Sequence, residues 1–327
     1  MPDTTAATHQ PSSLPAERLL QQLEWRVIKR LDGLLQGDYR TLLRGTGIDL
    51  ADLREYQLHD DVRHIDWNVT ARVGTPHVRV FTEDREMTAW FLLDLSPSVD
   101  FGPPGKTKRD QLTGFVAVLA RLLTRHGNRV GAVMHGQSER DRVLPARSGR
   151  AHVLQLMHLL QPPTKANAAE PAGATQLHLL LNSAQNSLRR RSAVFVVSDF
   201  MSAPGWERPL AQLAQRHDVV AVRLLDPLEL ELPNIGLILM RDPETGEQLH
   251  VDTRNPNFRR RYARLASERE AQLRENLARA GADTLELATG DDLLDSMMRF
   301  MSLRGLRSKH QARITTRSPQ HVNHARS

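Results

Sequence analysis

The strongest constraint on the fold is the alternation of short apolar segments with longer amphipathic segments that begins near Met87. The short segments have the length of buried strands, and the longer ones repeat apolar residues at helical spacing. Because parallel strands need crossover connections and a parallel sheet is covered on both faces, this order predicts a doubly wound, mostly parallel α/β sheet over about residues 87–306. The predicted strands are Thr88–Leu95, Arg129–Met134, Ala193–Val197, Val219–Leu224 and Thr284–Leu287, and the predicted helices are Arg109–Arg125, His152–Leu160, Gln176–Arg189, Leu210–Arg216, Phe258–Ala280 and Asp292–Leu303.

The rest of the chain divides into shorter regions. Residues 1–15 are polar and are predicted to be disordered. Residues 16–86 are predicted to form an N-terminal α+β extension, in which a helix over Ala16–Leu35 is followed by short strands and turns. A β-hairpin is predicted as an insertion at Leu237–Thr253, and residues 307–327 are predicted to be a basic, disordered tail.

The net charge of the chain is concentrated at its end. The formal net charge is +6, and Ser302–Ser327 contains six basic residues and no acidic residue. The other 38 basic residues balance the 38 acidic residues, so the body of the protein is neutral. The tail has no aromatic residues that would stack on bases, which argues against a nucleic-acid partner. Nucleic-acid binding through the tail is kept as a third alternative, which deletion from Ser302 would test.

Composition excludes several classes of site. The chain has no cysteine, which rules out disulfides, thiolate zinc sites, iron–sulfur clusters and cysteine nucleophiles. No apolar run approaches the ~18 residues that a membrane helix needs, so no membrane partner is expected. The polar start, Met1 to Pro15, lacks the apolar core of a secretory signal. We therefore expect a cytoplasmic protein in which any metal is bound by oxygen or imidazole.

Oxygen-bearing side chains collect where two predicted strands end, which is the place where doubly wound sheets bind ligands. The first strand runs directly into Asp94, Ser96 and Ser98, and a later strand runs into Asp199. Thr175 stands at the start of the helix that precedes this later strand. The fold would bring two carboxylates and three hydroxyls to one edge of the sheet.

An all-oxygen set of this kind suits Mg²⁺ or Mn²⁺. Two carboxylates offset the charge of the ion, and the neutral hydroxyls add no further negative charge. The metal would therefore still attract an anion. An Asp or Glu carboxylate of a protein partner would complete its coordination.

The order and spacing of five residues are similar to those of the metal-ion-dependent adhesion site of von Willebrand factor A-type domains. The resemblance implies a Rossmann-like A domain in which all five side chains are metal ligands. Two positions depart from the pattern, because Ala174 stands where Gly is frequent and Pro97 removes a backbone donor from the metal loop. The five residues are Asp94, Ser96, Ser98, Thr175 and Asp199.

Other segments resemble the bacterial domain-of-unknown-function 58 family, and the resemblance covers roughly Gly45 to Arg304. Proteins of that family are often encoded beside MoxR-type AAA+ ATPases and are thought to act with them as adaptors in assembling or remodelling other proteins. The resemblance thus implies a non-enzymatic, metal-dependent interaction protein whose partner is a MoxR-type ATPase or its client. The segments are Leu53-Arg54-Glu55-Tyr56, Asp60–Trp67 through Ala71-Arg72, and Leu225–Glu229 followed by Leu232-Pro233.

The same residues have other interpretations. Thr175 could cap the helix that begins at Gln176, and Ser98 could fix a turn. Asp94 could also be the nucleophile of a metal-dependent phosphoryl hydrolase. Against this alternative, Ser96 stands where such enzymes usually have a second Asp as the general acid.

Three further motifs carry less information. Gly102–Thr107 resembles part of a phosphate-binding loop, but Asp100 stands where that motif needs Gly, so we predict a turn that rims the metal site. His152 and His158 do not share a helix face, which argues against a zinc pair. The block Asp60–Trp67 is interpreted as a knot of ion pairs and packing that joins the extension to the sheet domain, with a binding surface as the alternative.

Overall fold

The computed structural model describes residues 15–28, 31, 52–57, 60, 62, 65–80, 87–103, 105–136, 141–161, 175–241 and 246–315. The helices in these ranges are α1 Pro15–Leu23, α2 Trp67–Val73, α3 Lys108–Arg125, α4 Arg150–Leu159, α5 Leu177–Ser187, α6 Glu207–Arg216, α7 Pro256–Arg279 and α8 Leu293–Thr315. The strands are β1 Asp52–Glu55, β2 His77–Val80, β3 Thr88–Asp94, β4 Arg129–His135, β5 Arg142–Arg147, β6 Ala193–Ser198, β7 Asp218–Leu225, β8 Leu237–Arg241, β9 Gln248–Asp252 and β10 Asp283–Ala288.

The central sheet has six strands in the order β10-β7-β6-β3-β4-β5. All neighbours pair in parallel except β4 and β5, which are antiparallel. This confirms the predicted fold class, a doubly wound, mostly parallel α/β sheet. From β3 the chain continues to β4 and β5 on one side and then to β6, β7 and β10 on the other. The strand order therefore reverses between β3 and β6, and ligands of such sheets bind at the carboxyl ends of the strands beside this reversal.

Helices cover both faces of the sheet, as parallel strands require. One hydrophobic cluster joins the sheet to α1, α3, α4 and α8, and a second joins it to α5, α6 and α7. The first cluster is centred on Phe91, Phe115 and Phe195, whose ring centroids are 5.5–6.4 Å apart. Because α3 packs against the sheet, α1, α4 and α8, most of its residues are buried.

The structure departs from the predicted elements in three places. The edge strand β5 was not predicted, because Leu144 is its one buried residue and Pro145 interrupts the strand pattern, as is common in edge strands. The predicted helix Ala16–Leu35 is interrupted: α1 ends at Leu23 and a π-helical turn follows over Glu24–Ile28. Of the remaining predicted residues, Leu31 is described and is helical, and the others lie outside the described ranges. The last helix, α8, continues past its predicted end at Leu303 and ends at Thr315, inside the segment 307–327.

The predicted disorder falls largely on residues that the structure does not describe. Residues 1–14 and 316–327 lie outside the described ranges, and so do most of the residues between 29 and 51. The predicted domain boundaries stay predictions. Within the described ranges, no helix has both the length and the apolar character needed to cross a membrane.

The extension before the sheet contains the antiparallel pair β1–β2 and the short helix α2. Asp66 is buried and caps α2, because its Oδ1 accepts the backbone N–H groups of Asn68 and Val69 at 3.0 and 3.2 Å. The side chain of Trp67 is 69% exposed. In this block Asp66 therefore acts as a helix cap, and Trp67 does not supply the predicted packing. The predicted ion pairs stay a prediction, because the described residues do not include Asp61, Arg63 and His64.

Candidate metal centre

The two carboxylates predicted as metal ligands lie on the adjacent strands where the strand order reverses. Asp94 is the last residue of β3, and Asp199 directly follows β6. These strands pair in parallel, with Leu93 opposite Val197 at the end of the register. Both carboxylates are 1% exposed. The structure thus places the two acids side by side at the carboxyl edge of the sheet.

Asp94 is held by two uncharged donors. Its Oδ1 accepts the backbone N–H of Ser96 at 3.1 Å, and its Oδ2 accepts the hydroxyl of Ser198 at 2.7 Å. Burial, followed by the negative charge of Asp199, raises the pKa of Asp94 above its usual value. Ionisation of Asp94 is therefore less favourable than that of an exposed aspartate, and a divalent cation bound beside its carboxylate would favour the ionised form.

Ser96 and Ser98 belong to the loop that leaves β3. Both are buried, and their Oγ atoms are 3.0 Å apart. Pro97 opens a 3₁₀ turn, Pro97–Asp100, at a position whose backbone nitrogen needs no partner, so the missing donor does not disturb the loop. The guanidinium of Arg109 fixes the loop from α3 by donating to the carbonyl of Leu95 at 3.1 Å and to the carboxylate of Asp100.

Thr175 is buried at the same edge and is tied to the loop after Asp199. Its carbonyl oxygen accepts the hydroxyl of Ser202 at 2.8 Å and the backbone N–H of Ala203 at 3.0 Å. The N-cap of α5 is Gln176, so Thr175 is not the helix cap that the alternative interpretation required. Ala174, the departure noted in the sequence, lies outside the described residues.

The segment after Asp199 has an unusual backbone. Phe200 has a φ of 56°, in the left-handed region that a bulky side chain rarely adopts. Its ring is buried and lies 5.3 Å from the ring of Trp206, and its backbone N–H donates to the hydroxyl of Ser198 at 2.9 Å. The next N–H, from Met201, donates to Asp199 Oδ1 at 3.0 Å. Packing and hydrogen bonds thus stabilise a strained turn that orients the Asp199 carboxylate. Strained backbone of this kind is frequent at functional sites.

Lys108 is a site residue that sequence reasoning missed. It is the first residue of α3 and is fully buried, and its Nζ lies 2.7 Å from Asp199 Oδ2 and 2.7 Å from Glu229 Oε1. Burial alone would lower the pKa of this amine, but the charges of the two carboxylates outweigh burial and raise it. The raised pKa favours the ammonium form of this amine beside the candidate site.

The sequence held only a weak signal for Lys108. The phosphate-loop comparison drew attention to Lys106, which is exposed. A lysine directly after the capping residue Thr107 is an unfavourable choice next to a helix N-terminus, and that conflict was the available clue. The ring of Phe101, before the Gly102–Thr107 turn, lies 5.9 Å from Lys108 Nζ, so this turn borders the site.

The donor chemistry fits a hard divalent ion. All five predicted ligand residues are buried at one edge, and their side chains offer oxygen alone. In the part of the chain that the structure describes, no group of three or more His, Cys, Asp or Glu side chains is placed to hold a metal. A metal here would therefore depend on the hydroxyls of the serines and the threonine as well as on the two acids.

Among the described residues, His152 and His158 do not form a competing metal site. His152 is buried and its Nε2 is 2.7 Å from the carbonyl oxygen of Val130, whereas His158 is exposed. The two imidazoles thus lie in different environments, one buried and one exposed, as expected for residues that do not share a helix face. His135, at the end of β4, is 2.6 Å from Asp141 through its Nδ1.

Comparisons with known proteins agree with the sequence resemblance. An uncharacterized protein of Mycobacterium tuberculosis is 36% identical over 318 residues, which are 94% of this chain and 98% of that protein. A Paracoccus denitrificans protein, described as uncharacterized and in the moxR 3′ region, is 33% identical over 100 residues, or 30% of this chain and 94% of that protein.

Solved structures with a similar chain path share little sequence with this protein. BatB from Bacteroides thetaiotaomicron matches with a TM-score of 0.41 and 14% identity, covering 67% of this chain and 99% of that one. The VWA domain of SpRpn10 matches with a TM-score of 0.35 and 11% identity, covering 65% and 94%. The fold assignment rests on the strand order described above.

A sequence model of one protein family matches residues 52–272, which is more than half of the chain. The matched range includes both extension strands, the central sheet through β7, the separate pair β8–β9 and most of α7. This confirms the family resemblance that the motifs indicated. The chain belongs to the family described as "Protein of unknown function DUF58".

Proposed function

We propose that this protein is a non-enzymatic adaptor that binds Mg²⁺ or Mn²⁺ and uses the ion to hold an acidic side chain of a protein partner. One observation carries the proposal: five oxygen-bearing residues from three separate segments are buried together where the strand order of the sheet reverses. The proposed ligands are Asp94, Ser96, Ser98, Thr175 and Asp199.

Charge supports a cation at this position. Asp94 and Asp199 are buried next to each other, and burial followed by the negative charge of Asp199 raises the pKa of Asp94. The remaining ligands are neutral hydroxyls, so a divalent ion bound here keeps an attraction for a further carboxylate. When bound, the ion supplies the Lewis-acidic centre that accepts this carboxylate oxygen.

The chain's own contacts favour binding over nucleophilic chemistry. Both oxygens of Asp94 already accept hydrogen bonds, one from a backbone amide and one from the hydroxyl of Ser198, which orients the carboxylate as a ligand and lowers its nucleophilicity. Ser96 supplies no acid group at neutral pH for a leaving group. These observations support the adaptor role over the phosphoryl hydrolase alternative.

The partner we propose is a MoxR-type AAA+ ATPase or a client of that ATPase, acting in the cytoplasm. The Paracoccus denitrificans relative is described as lying in a moxR 3′ region, which supports this choice. The ion would be bound directly by an Asp or Glu of the partner.

The metal is tested by isothermal titration of the whole protein with Mg²⁺. Asp94→Asn keeps the size of the side chain but removes its charge and replaces one of its two acceptor oxygens by an NH2 donor, and we expect it to abolish detectable binding. The matched control is Glu231→Gln, which neutralises an exposed carboxylate after β7 and should titrate like the wild type. Absence of binding by the wild type, or identical titrations of the wild type and Asp94→Asn, would overturn the metal site.

The partner is tested by pull-down with the MoxR-type ATPase encoded in the same genome, in Mg²⁺ and in EDTA. We expect retention in Mg²⁺ that is lost in EDTA and in Asp94→Asn. Hydrolysis of a generic phosphate ester is measured with the same samples. Turnover by the wild type that Asp94→Asn removes would favour the hydrolase and contradict the adaptor role.

A further inference from the structure

A lysine ammonium already occupies one oxygen of a proposed metal ligand. Lys108 Nζ donates to Asp199 Oδ2 at 2.7 Å, and the side chain is fully buried. The other oxygen of Asp199, Oδ1, accepts the backbone N–H of Met201 at 3.0 Å. Both oxygens of Asp199 thus have a donor, and one of these donors is a full positive charge.

The position of Lys108 is energetically unfavourable for its local structure. A cation in the first turn of a helix opposes the helix dipole, and a buried ammonium is unfavourable unless carboxylates compensate it. Lys106, two residues earlier, is exposed to solvent. A local conflict of this kind in a folded protein is expected at functional positions. The place of Lys108 is therefore explained by the acids that it contacts and not by the helix that it begins.

We propose that Lys108 is the resident counter-cation of the metal site: in the metal-free protein it neutralises Asp199, and a divalent ion must displace it from Asp199 Oδ2 to bind. This inference rests on the proposed function and specifies how that site is regulated. Two positive groups cannot share one carboxylate oxygen at short distance without strong repulsion. Lys108 therefore lowers the affinity of the site for Mg²⁺.

Glu229 provides the second position for the displaced ammonium. Its Oε1 is 2.7 Å from Lys108 Nζ, and its Oε2 accepts the backbone N–H of Asp226 at 3.1 Å. Arg269 donates to the carbonyl oxygen of Glu229 at 3.3 Å, and Tyr262 donates to that of Leu228 at 3.0 Å, so α7 holds this turn in place. When a metal takes Asp199, Glu229 keeps Lys108 paired and thereby reduces the cost of displacement.

Calorimetric titration with Mg²⁺ alone tests this on four variants of the whole protein. In Lys108→Met we expect binding at least tenfold tighter than in the wild type. In Glu229→Gln we expect binding about threefold or more weaker, because the ammonium then has Asp199 as its sole carboxylate partner. The double variant should bind like Lys108→Met, since Glu229 acts through Lys108. Lys106→Met, the matched control, removes an exposed charge from the same turn and should shift the affinity by less than twofold.

Thermal unfolding provides a second readout of the same variants. Removal of Lys108 takes the ammonium away from the buried Asp199 and the partly buried Glu229, so metal-free Lys108→Met should melt below the wild type. Mg²⁺ should raise the melting temperature of this variant more than it raises that of the wild type. If this variant does not fold, the double variant is compared with Glu229→Gln, and binding at least tenfold tighter is expected.

The outcomes separate this inference from the metal site itself. Equal or weaker Mg²⁺ affinity in folded Lys108→Met, with binding still lost in Asp94→Asn, would overturn the role of Lys108 and leave the metal site intact. Absence of binding in the wild type and in Lys108→Met alike would overturn both. A tighter Lys108→Met together with an unchanged Lys106→Met would support the proposal.

Discussion

The two edges of the central sheet bury charged side chains in different ways. At the amino edge, where β7 and β10 begin, Arg304 of α8 donates to Asp218 at 2.6 Å and to Asp283 at 2.8 Å, and the guanidinium is 2% exposed. At the carboxyl edge, Asp94 accepts hydrogen bonds from the Ser198 hydroxyl and the Ser96 amide. Within the described ranges, no lysine or arginine bonds to Asp94.

The difference separates a structural charge cluster from a candidate binding site. At the amino edge, the Arg304 guanidinium donates to both acids and links α8 to β7 and β10, so both acids already have a cationic partner. At the carboxyl edge, the single buried ammonium of Lys108 is already shared between Asp199 and Glu229. Among the described residues, the carboxyl edge therefore has one further buried carboxylate, Asp94, whose hydrogen-bond donors are uncharged, whereas both acids of the amino-edge cluster contact Arg304.

The largest expected effect is on the amino edge. Arg304→Met should lower the free energy of unfolding by about 3–5 kcal/mol, because it removes a buried guanidinium that pairs with two partly buried carboxylates. Mg²⁺ affinity should stay unchanged, since the two edges lie at opposite ends of the strands. Urea denaturation and calorimetry measure the two quantities.

Arg299→Met is the matched control on the same helix. Its guanidinium is 3.7 Å from Asp291 and both side chains are well exposed, so its loss should cost less than about 1 kcal/mol. Equal destabilisation by the two substitutions, or loss of Mg²⁺ binding in Arg304→Met, would break the proposed distinction between the edges.

An intermediate effect is expected at the carboxyl edge from Ser198→Ala. This substitution removes the donor to Asp94 Oδ2 and the acceptor of the Phe200 N–H, so stability should fall by about 1–3 kcal/mol. Ser198 acts as a positioning residue for Asp94, and Mg²⁺ affinity should fall about 10–100-fold, as for other groups that orient metal ligands.

The control for Ser198→Ala lies at the other end of the same strand. Ser192 is buried and its hydroxyl donates to the carbonyl oxygen of Arg190 at 2.8 Å. Ser192→Ala should also cost stability but should leave the Mg²⁺ titration unchanged. If both substitutions weakened Mg²⁺ equally, Ser198 would have no specific role in positioning Asp94.

The smallest expected effect is the pH dependence of the amino edge. Burial, followed by the charges of Arg216 and Arg191, lowers the pKa of His217 below its usual value of 6.5. The unfolded chain therefore takes up a proton first, and the stability contributed by neutral His217 is complete above pH 6.5 and is lost as the pH falls from 6.5 through the folded-state pKa. The slope for this one group is at most about 1.4 kcal/mol per pH unit.

Urea denaturation at pH 7.5 and at lower pH measures this effect, and His217→Gln provides the reference without a titrating group. The wild type should lose more stability on acidification than the variant does. The same acid dependence in both proteins would show that His217 does not contribute, and the contrast between the edges would then rest on Arg304 alone.

Much of the fold and of the candidate ligand set could be predicted from local patterns. Apolar periodicity located the five parallel strands. A residue at the end of a strand stays at that edge of the sheet however the helices pack. Asp94 and Asp199 could therefore be assigned to one edge. The edge strand β5 could not be found, because one buried residue gives no alternating pattern.

The sequence by itself determined which elements form and which oxygen-bearing residues stand at their ends, because helical and strand periodicity and the residues that follow a strand are local properties of the chain. The tertiary structure alone decided that Lys108 reaches Asp199, 91 positions away, and Glu229, 121 positions away. It also decided that Ser198 orients Asp94 and that Arg304 joins two strand starts. These contacts depend on how the strands are ordered and how the helices pack on them, which no local pattern specifies.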